Sequence, residues 1–177
     1  MSILKLVLFP DPRLQQKCDA VRVFDENLKN EIANMFDSMY HYKGIGLAAC
    51  QVGIMKQIFI MDITSNENEK SMVDKKYCFI NPQIVKYSDQ KSKYEEGCLS
   101  FPLQNAVIHR PESVLIKFQD ENGTWHEKEA YGLAATCIQH EFDHLNGITM
   151  PDRVNSIMKK SNMIEKAKKI KKERENT

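Results

Sequence analysis

Apolar residues recur at helical spacing in three segments of the chain. In the first segment they repeat every three or four positions between residues 28 and 39, and Asp25 precedes them as a predicted N-cap. The second segment, Gly132–Leu145, ends at Asn146-Gly147, a pair that commonly stops a helix. The third begins near residue 155 and spaces four apolar residues among lysines: Ile157, Ile164, Ala167 and Ile170. The pattern predicts an N-terminal amphipathic helix, a helix near residue 140 and a C-terminal helix.

Short β-strands are predicted between the first two helices. Residues 57–63 are rich in β-branched and aromatic side chains. Residues 113–118 and 124–130 flank a turn that contains glycine, which is typical of a β-hairpin. Because strands and helices do not alternate as βαβ units, we expect an α+β fold with antiparallel sheet.

The segment between residues 64 and 87 is less regular. Residues 64–76 are polar and charged, which predicts an exposed loop. Residues 77–80 and 83–87 have the character of two strand pieces, and Asn81-Pro82 between them is a turn signal. We therefore expect two short strands here rather than one long strand.

The composition indicates a folded domain of ordinary charge. The 177 residues are 42% hydrophobic and 28% charged, and 25 basic against 24 acidic residues give a formal net charge of +1. This balance excludes a bulk polycation, although a local basic patch remains possible. Five cysteines without the spacing of a disulfide framework favour the reducing cytoplasm. We expect no signal peptide in residues 1–13, because Lys5 interrupts the apolar stretch and Pro10 and Pro12 close it without a cleavage site. We expect no membrane span, because no apolar run is long enough.

The strongest chemical signal is the motif His140-Glu141-Phe142-Asp143-His144 in the second predicted helix. Residues four apart lie on one face of a helix, so both imidazoles can bind the same metal ion. The carboxylate of Glu141 can then reach a water molecule beside the ion without binding the ion itself. The alternative is a helix that merely carries surface histidine and glutamate residues.

A catalytic metal site of this type needs a third protein ligand and one open position. Glu165 lies 21 residues after His144, a spacing that suits a thermolysin-like metalloprotease. Cys98 offers a thiolate, and we expect a strand-like segment to follow it. Spacing alone does not decide between the two, because the fold determines which distant residues meet.

Three segments, in this order, resemble the motifs of the peptide deformylase family. Residues 44–51 read GIGLAACQ, residues 96–100 read EGCLS and residues 139–144 read QHEFDH, close to the family patterns GxGxAAxQ, EGCLS and QHExDH. The resemblance covers about residues 3–150. It implies an α+β fold in which antiparallel β-sheets pack around a central helix with the HExxH motif. It also implies an enzyme that removes the formyl group from the formylmethionine of nascent polypeptides and releases formate.

The resemblance assigns roles to residues of these segments. It implies three metal ligands: Cys98, His140 and His144. It implies ferrous iron (Fe2+) as the ion, with Zn2+, Ni2+ or Co2+ able to substitute. Glu141 would be the general acid/base, and the side chain of Gln51 and the backbone N–H of Leu99 would polarise the formyl carbonyl.

The methionine side chain of such a substrate needs an apolar pocket beside the metal. Some of its predicted residues share the helix face of His140, and others are carried over from family positions: Ile45, Gly46, Tyr94, Gly97, Leu133, Thr136 and Cys137. Several positions depart from the usual family pattern, and two of them bear on substrate binding. Thr136 replaces an aliphatic residue, and Asn105 stands where many members carry arginine, which puts a peptide-backbone contact there in doubt.

The resemblance also bears on organisation and partners. We expect residues 1–150 to form the catalytic domain and residues 151–177 to add a lysine-rich helix to the same domain. Lysine runs usually mark a solvated helix face, but the resemblance favours docking on the ribosome near the exit tunnel. We expect a cytoplasmic monomer that acts on N-formylmethionyl peptides and has no membrane partner. Two other functions stay open: a metalloprotease that uses Glu165, and an inactive ribosome- or nucleic-acid-binding module, which intact Glu141 and Gln51 disfavour.

Overall fold

Helices and strands follow one another along the chain without βαβ units. The computed structural model describes residues 2–63 and 76–175, and this part of the chain contains three α-helices and seven β-strands. The helices are α1 (Glu26–His41), α2 (Gly132–Leu145) and α3 (Ile157–Glu175). The strands are β1 (Gly46–Ala48), β2 (Ile58–Met61), β3 (Tyr77–Tyr87), β4 (Lys91–Gly97), β5 (Asn105–Pro111), β6 (Ser113–Gln119) and β7 (Trp125–Tyr131). All three predicted helices and the β6–β7 hairpin are confirmed.

The strands form two antiparallel sheets. Five strands pair in the order β1-β2-β3-β6-β7, and β4 pairs with β5 in a separate two-stranded sheet. The short strand β2 is buried at every position, as expected of a strand covered on both faces. This arrangement confirms the α+β prediction with antiparallel sheets.

Helix α2 lies between the two sheets and contacts strands of both. Every residue from 134 to 141 is buried, which is typical of a helix enclosed on all sides. The helix ends where Gly147 adopts a φ of +73°, and a Cβ there would lie 2.7 Å from the backbone of Gln15. Glycine is therefore required at this position, and it holds the end of α2 against the N-terminal segment.

Two predictions about strands are wrong. Residues 77–80 and 83–87 belong to one strand, β3, because the irregularity at Asn81-Pro82 is a bulge in its pairing with β6 rather than a turn. No strand begins directly after Cys98, which comes immediately after the end of β4 and precedes a turn that leads to β5. The predicted loop at residues 64–76 lies, except for its last residue, outside the described residues.

The outer helices are attached by specific contacts. Asp25 caps α1 by accepting a hydrogen bond of 2.9 Å from the backbone N–H of Leu28. Helix α3 buries Met163 and Ala167 in a cluster that includes Phe101 from the turn after Cys98. The C-terminal helix is thus part of the core as well as of the surface. Among the described helices, none combines the length and apolar character needed to cross a membrane.

Candidate metal centre

Three potential metal ligands meet at the junction of α2 and the end of β4. One ligand atom each from Cys98, His140 and His144 lies within 4.8 Å of the other two. The Sγ of Cys98 is 3.2 Å from Nε2 of His144, and the two imidazole centroids are 5.0 Å apart. The histidines come from successive turns of α2, and the cysteine reaches them because β4 ends beside that helix. Glu165, the other candidate for third ligand, is exposed on α3 and is not part of this cluster.

The chemistry of this donor set fits a divalent transition metal. Nδ1 of His140 lies 2.8 Å from Oε2 of Glu96. Because a carboxylate only accepts hydrogen bonds, Nδ1 carries the proton and Nε2 keeps its lone pair for a metal. One thiolate and two imidazoles suit iron, zinc, nickel or cobalt, and three protein ligands leave a position open, as in catalytic rather than structural sites.

Glu96 belongs to a buried chain of charged groups that holds His140 in place. Arg110 donates from Nε to Oε1 of Glu96 at 2.6 Å and from Nη1 to Oδ2 of Asp143 at 2.8 Å. Asp143 also pairs with Arg153 from the segment after α2. Although burial opposes the charge, the hydrogen bonds from His140 and Arg110 hold the pKa of Glu96 below its ordinary value. Glu96 and Arg110 thus form a buried ion pair, and Asp143 supports this pair through Arg110.

Glu141 lies beside the three ligand atoms in a nearly dry environment. Burial raises its pKa to about 7, and its Oε2 has no hydrogen-bond partner among the described residues. A Cβ at position 46 would lie only 2.7 Å from Oε1 of Glu141 and 2.7 Å from Sγ of Cys137. Gly46 therefore lets the backbone of β1 approach the carboxylate closely. The result is a carboxyl group with one oxygen free, whose proton affinity suits exchange near neutral pH.

Two hydrogen-bond donors face the same place. The side-chain nitrogen of Gln51 lies 3.6 Å from Sγ of Cys98 and 3.3 Å from Oγ of Ser100, and its oxygen accepts from the backbone N–H of Ala48 at 2.8 Å. That acceptor bond fixes the orientation of the amide. The backbone N–H of Leu99 donates to no other group in the described part of the chain. The Leu99 N–H is therefore available for an oxygen that carries developing negative charge, and the Gln51 amide can donate to such an oxygen in exchange for its long contacts with Cys98 and Ser100.

A cavity of about 460 Å³ joins these groups to the surface. Gln51, Leu99 and Glu141 line this cavity. So do all seven residues predicted for the methionine pocket: Ile45, Gly46, Tyr94, Gly97, Leu133, Thr136 and Cys137. Of the predicted ligands, Cys98 and His140 line the cavity, whereas His144 does not and is 1% exposed. The structure thus brings every predicted site residue together.

Sequence reasoning missed residues of the cavity rim. Lys43, Leu103 and Arg174 line the cavity, and none of them belongs to the three motifs. For Arg174 a signal was present, because it lies seven residues after Ala167 and therefore on the same face of the predicted C-terminal helix. Lys43 and Leu103 adopt positive φ angles of 58° and 60° in loops, for which no periodic pattern exists.

Comparison with known proteins agrees with this arrangement. Residues 3–160 match the family model for polypeptide deformylase. A peptide deformylase from Zymomonas mobilis is 42% identical over 177 residues, which cover 100% of this chain and 99% of that protein. The structure is similar to that of peptide deformylase from Ehrlichia chaffeensis in complex with actinonin (TM-score 0.90, 38% identity, 96% of this chain and 98% of that chain). It is also similar to peptide deformylase from Plasmodium falciparum (TM-score 0.86, 39% identity, 98% of each chain). The chain therefore belongs to the polypeptide deformylase family.

Proposed function

We propose that this enzyme removes the formyl group from the N-terminal formylmethionine of nascent polypeptides and releases it as formate. As a member of the deformylase family, the chain is a metal-dependent hydrolase that acts on N-formyl peptides. The observation that carries the proposal is the meeting of a three-ligand cluster and Glu141 at one cavity. A cleft with such groups can hold a peptide end and hydrolyse the amide bond next to the metal.

We propose ferrous iron as the resident ion, held by Cys98, His140 and His144, with zinc, nickel or cobalt as possible substitutes. A divalent ion bound there supplies a Lewis acid that lowers the pKa of a water molecule and polarises the formyl oxygen. The thiolate donates more charge than a carboxylate would, so the identity of the ion should affect the rate strongly.

Glu141 is the proposed general acid/base. A carboxyl group whose pKa is raised to about 7 by burial can take a proton at neutral pH and give it up again. It accepts a proton from the attacking water as the new C–O bond forms at the formyl carbon. It then delivers that proton to the nitrogen as the C–N bond breaks, which leaves a free amine and formate.

Gln51 and Leu99 are the proposed donors to the formyl oxygen. The attack places negative charge on this oxygen, and donors fixed in advance stabilise that charge without reorganisation. In comparable sites, loss of one such donor costs about 3–4 kcal/mol of transition-state stabilisation. The bond between the Gln51 oxygen and the N–H of Ala48 prevents the amide from flipping, so its NH2 group stays directed to the cavity.

The remaining predicted residues form the proposed methionine pocket. Leu133, Thr136 and Cys137 lie on the same face of α2 as His140. Ile45 directly precedes β1, and Tyr94 belongs to β4. Gly46 and Gly97 have no side chain, so a peptide backbone can approach β1 and β4 closely. This pocket would select methionine mainly by burial of its apolar side chain.

The proposal is tested by formate release from a formyl-Met tripeptide, with protein purified without oxygen and reloaded with ferrous iron or nickel. We expect formate from the wild type and a loss of at least about a hundredfold in Glu141→Ala, because the proton carrier is gone. Metal content must be unchanged in the variant. Binding of actinonin, which the Ehrlichia relative binds, serves as a control for an intact cavity. No formate from the folded, metal-loaded wild type would reject the proposal.

The metalloprotease alternative differs in its third ligand. We expect Cys98→Ser to lose its metal during dialysis, whereas Glu165→Gln keeps a full equivalent. The opposite result would support a carboxylate ligand and a protease. Glu165 is an exposed residue of α3, so its replacement should not disturb folding.

We further propose that the enzyme works as a cytoplasmic monomer, that residues 1–150 are its catalytic domain, and that the lysine-rich helix docks on the ribosome near the exit tunnel. Deletion of residues 156–177 would be a poor test, because Met163 and Ala167 belong to the core. Replacing the exposed Lys168, Lys169 and Lys172 by glutamate reverses the charge of part of the basic surface and leaves the core intact. We expect weaker ribosome binding in this triple variant, and unchanged affinity would reject the docking proposal.

A further inference from the structure

An arginine in the last turn of α3 lies at the rim of the cavity. Arg174 lines the cavity together with residues of the metal site, although it comes from the far end of the chain. Its side chain is exposed, and its guanidinium forms no hydrogen bond or ion pair with another of the described residues. Within the part of the chain that the structure describes, a cation without a counter-charge therefore stands at the entrance to the site.

The position of Arg174 follows from the way α3 packs. Ala167 is 2% exposed in the cluster that contains Phe101, and Arg174 lies seven residues later, on the same helix face and about 10 Å further along the axis. Lys166 also donates a hydrogen bond of 2.9 Å from Nζ to the backbone oxygen of Leu103, another rim residue. The helix is thus held on the turn that follows Cys98, and its inner face extends to the cavity.

The charges around the rim favour an anion. Glu96 also lines the cavity, but Arg110 and His140 compensate its charge. Among the described residues that line the cavity, the exposed charged groups that remain are Lys43, Glu95 and Arg174, two cations against one carboxylate. A guanidinium binds a carboxylate through two parallel hydrogen bonds, which an ammonium group does not form.

We propose that Arg174 is a specificity-determining residue that favours substrates with an acidic side chain shortly after formylmethionine. The inference rests on the proposed function, because the residues that follow formylmethionine are those that pass through the rim of the cavity. An exposed ion pair is weak, so the expected preference is about two- to fivefold in kcat/KM. Salt should reduce it, since the interacting groups are open to solvent.

The test uses metal-loaded enzyme and formyl-Met tetrapeptide amides in which the second, third or fourth residue is glutamate, alanine or lysine. The amide end removes the terminal carboxylate as a competing anion. We expect the wild type to prefer glutamate over lysine at one or more positions, and Arg174→Gln to bring that ratio close to one. Arg22→Gln is the matched control: it removes an exposed arginine that does not line the cavity, and should keep the wild-type ratio.

The two proposals fail in different ways. Formate release from the alanine peptide depends on the proposed function alone, whereas the glutamate-to-lysine ratio depends on Arg174. A wild-type ratio near one, or the same ratio in wild type and Arg174→Gln, would overturn the inference while deformylation stands. Dissociation constants of the deformylated glutamate and lysine peptides, measured by titration calorimetry, test the same preference without turnover.

Discussion

Arg110 provides a quantitative test of how the ligand His140 is held in place. The guanidinium is 6% exposed and lies between the carboxylates of Glu96 and Asp143. Its bonds to Glu96 measure 2.6 and 3.0 Å, and its bond to Asp143 measures 2.8 Å. Replacing Arg110 by methionine keeps most of the side-chain volume but removes all three charge-assisted bonds.

The loss of stability in Arg110→Met depends on which buried carboxylates remain without a counter-charge. In Arg110→Met, Glu96 keeps only His140 as a partner, and Asp143 keeps only Arg153. Removing one member of a buried charge pair typically costs about 3–5 kcal/mol, because the other member stays buried without its counter-charge. Arg153 also pairs with Asp143, but its side chain is 43% exposed. Arg153→Met should therefore cost no more than about 1 kcal/mol, since water can solvate what remains.

Urea denaturation of the metal-free proteins measures the stability losses of Arg110→Met and Arg153→Met without a contribution from metal binding. A second readout is metal affinity, which should fall about ten- to a hundredfold in Arg110→Met, because Glu96 loses the two bonds that fix its position and so orients the imidazole of His140 less firmly. Arg110→Lys, which keeps the charge but not the forked geometry, should fall between the wild type and Arg110→Met. Equal losses in Arg110→Met and Arg153→Met, or a loss below about 1 kcal/mol in the former, would refute the reasoning.

Three further predictions concern the site and its support. Gly46→Ala would place a Cβ 2.7 Å from Oε1 of Glu141. The carboxylate should therefore be displaced, and kcat should fall about ten- to a hundredfold. An unchanged kcat would contradict the close approach of β1 to Glu141. Gln51→Glu keeps the acceptor for Ala48 but loses the NH2 donor. Its kcat should fall about a hundred- to a thousandfold, whereas a change seen only in KM would argue against a transition-state role. Met163→Ala should lower the free energy of unfolding in urea by about 2–5 kcal/mol. A smaller loss would mean that α3 is only loosely attached to the core.

The fold was predictable where the hydrophobic pattern is strong. Helix α1 and the β6–β7 hairpin have clear periodicity and turn signals, and both occur as expected. Strand β4 was not predicted, because its sequence, KSKYEEG, is mostly polar. In the two-stranded sheet, most of its residues alternate between exposed and half-buried positions. Strand β1 has only three residues. Its pairing with β2, rather than its own propensity, makes it a strand.

The site was predictable in two steps of different kinds. Helical spacing alone brought His140, Glu141 and His144 together, because residues four apart share a helix face. Spacing could not choose between Cys98 and Glu165, since the distance between β4 and α2 depends on long-range packing. Only the resemblance of the whole segment around Cys98 to a family motif made that choice, and the structure brings this thiol to the two imidazoles. The charged network of Glu96, Arg110, Asp143 and Arg153 crosses four separate segments, so spacing along the sequence could not reveal it.

Helix α3 shows why a lysine-rich tail should not be treated as a separate attachment. Its lysines suggest a solvated or docking surface, but Met163, Ala167 and Arg174 share the face that meets the core and the cavity rim. Removal of the helix would thus change stability, peptide preference and any ribosome contact at once. Point substitutions separate these effects, because the outward lysines and the inward residues lie on different faces. An outward triple variant with normal kcat/KM for glutamate peptides, beside an Arg174→Gln variant with normal ribosome affinity, would show that the two faces act independently.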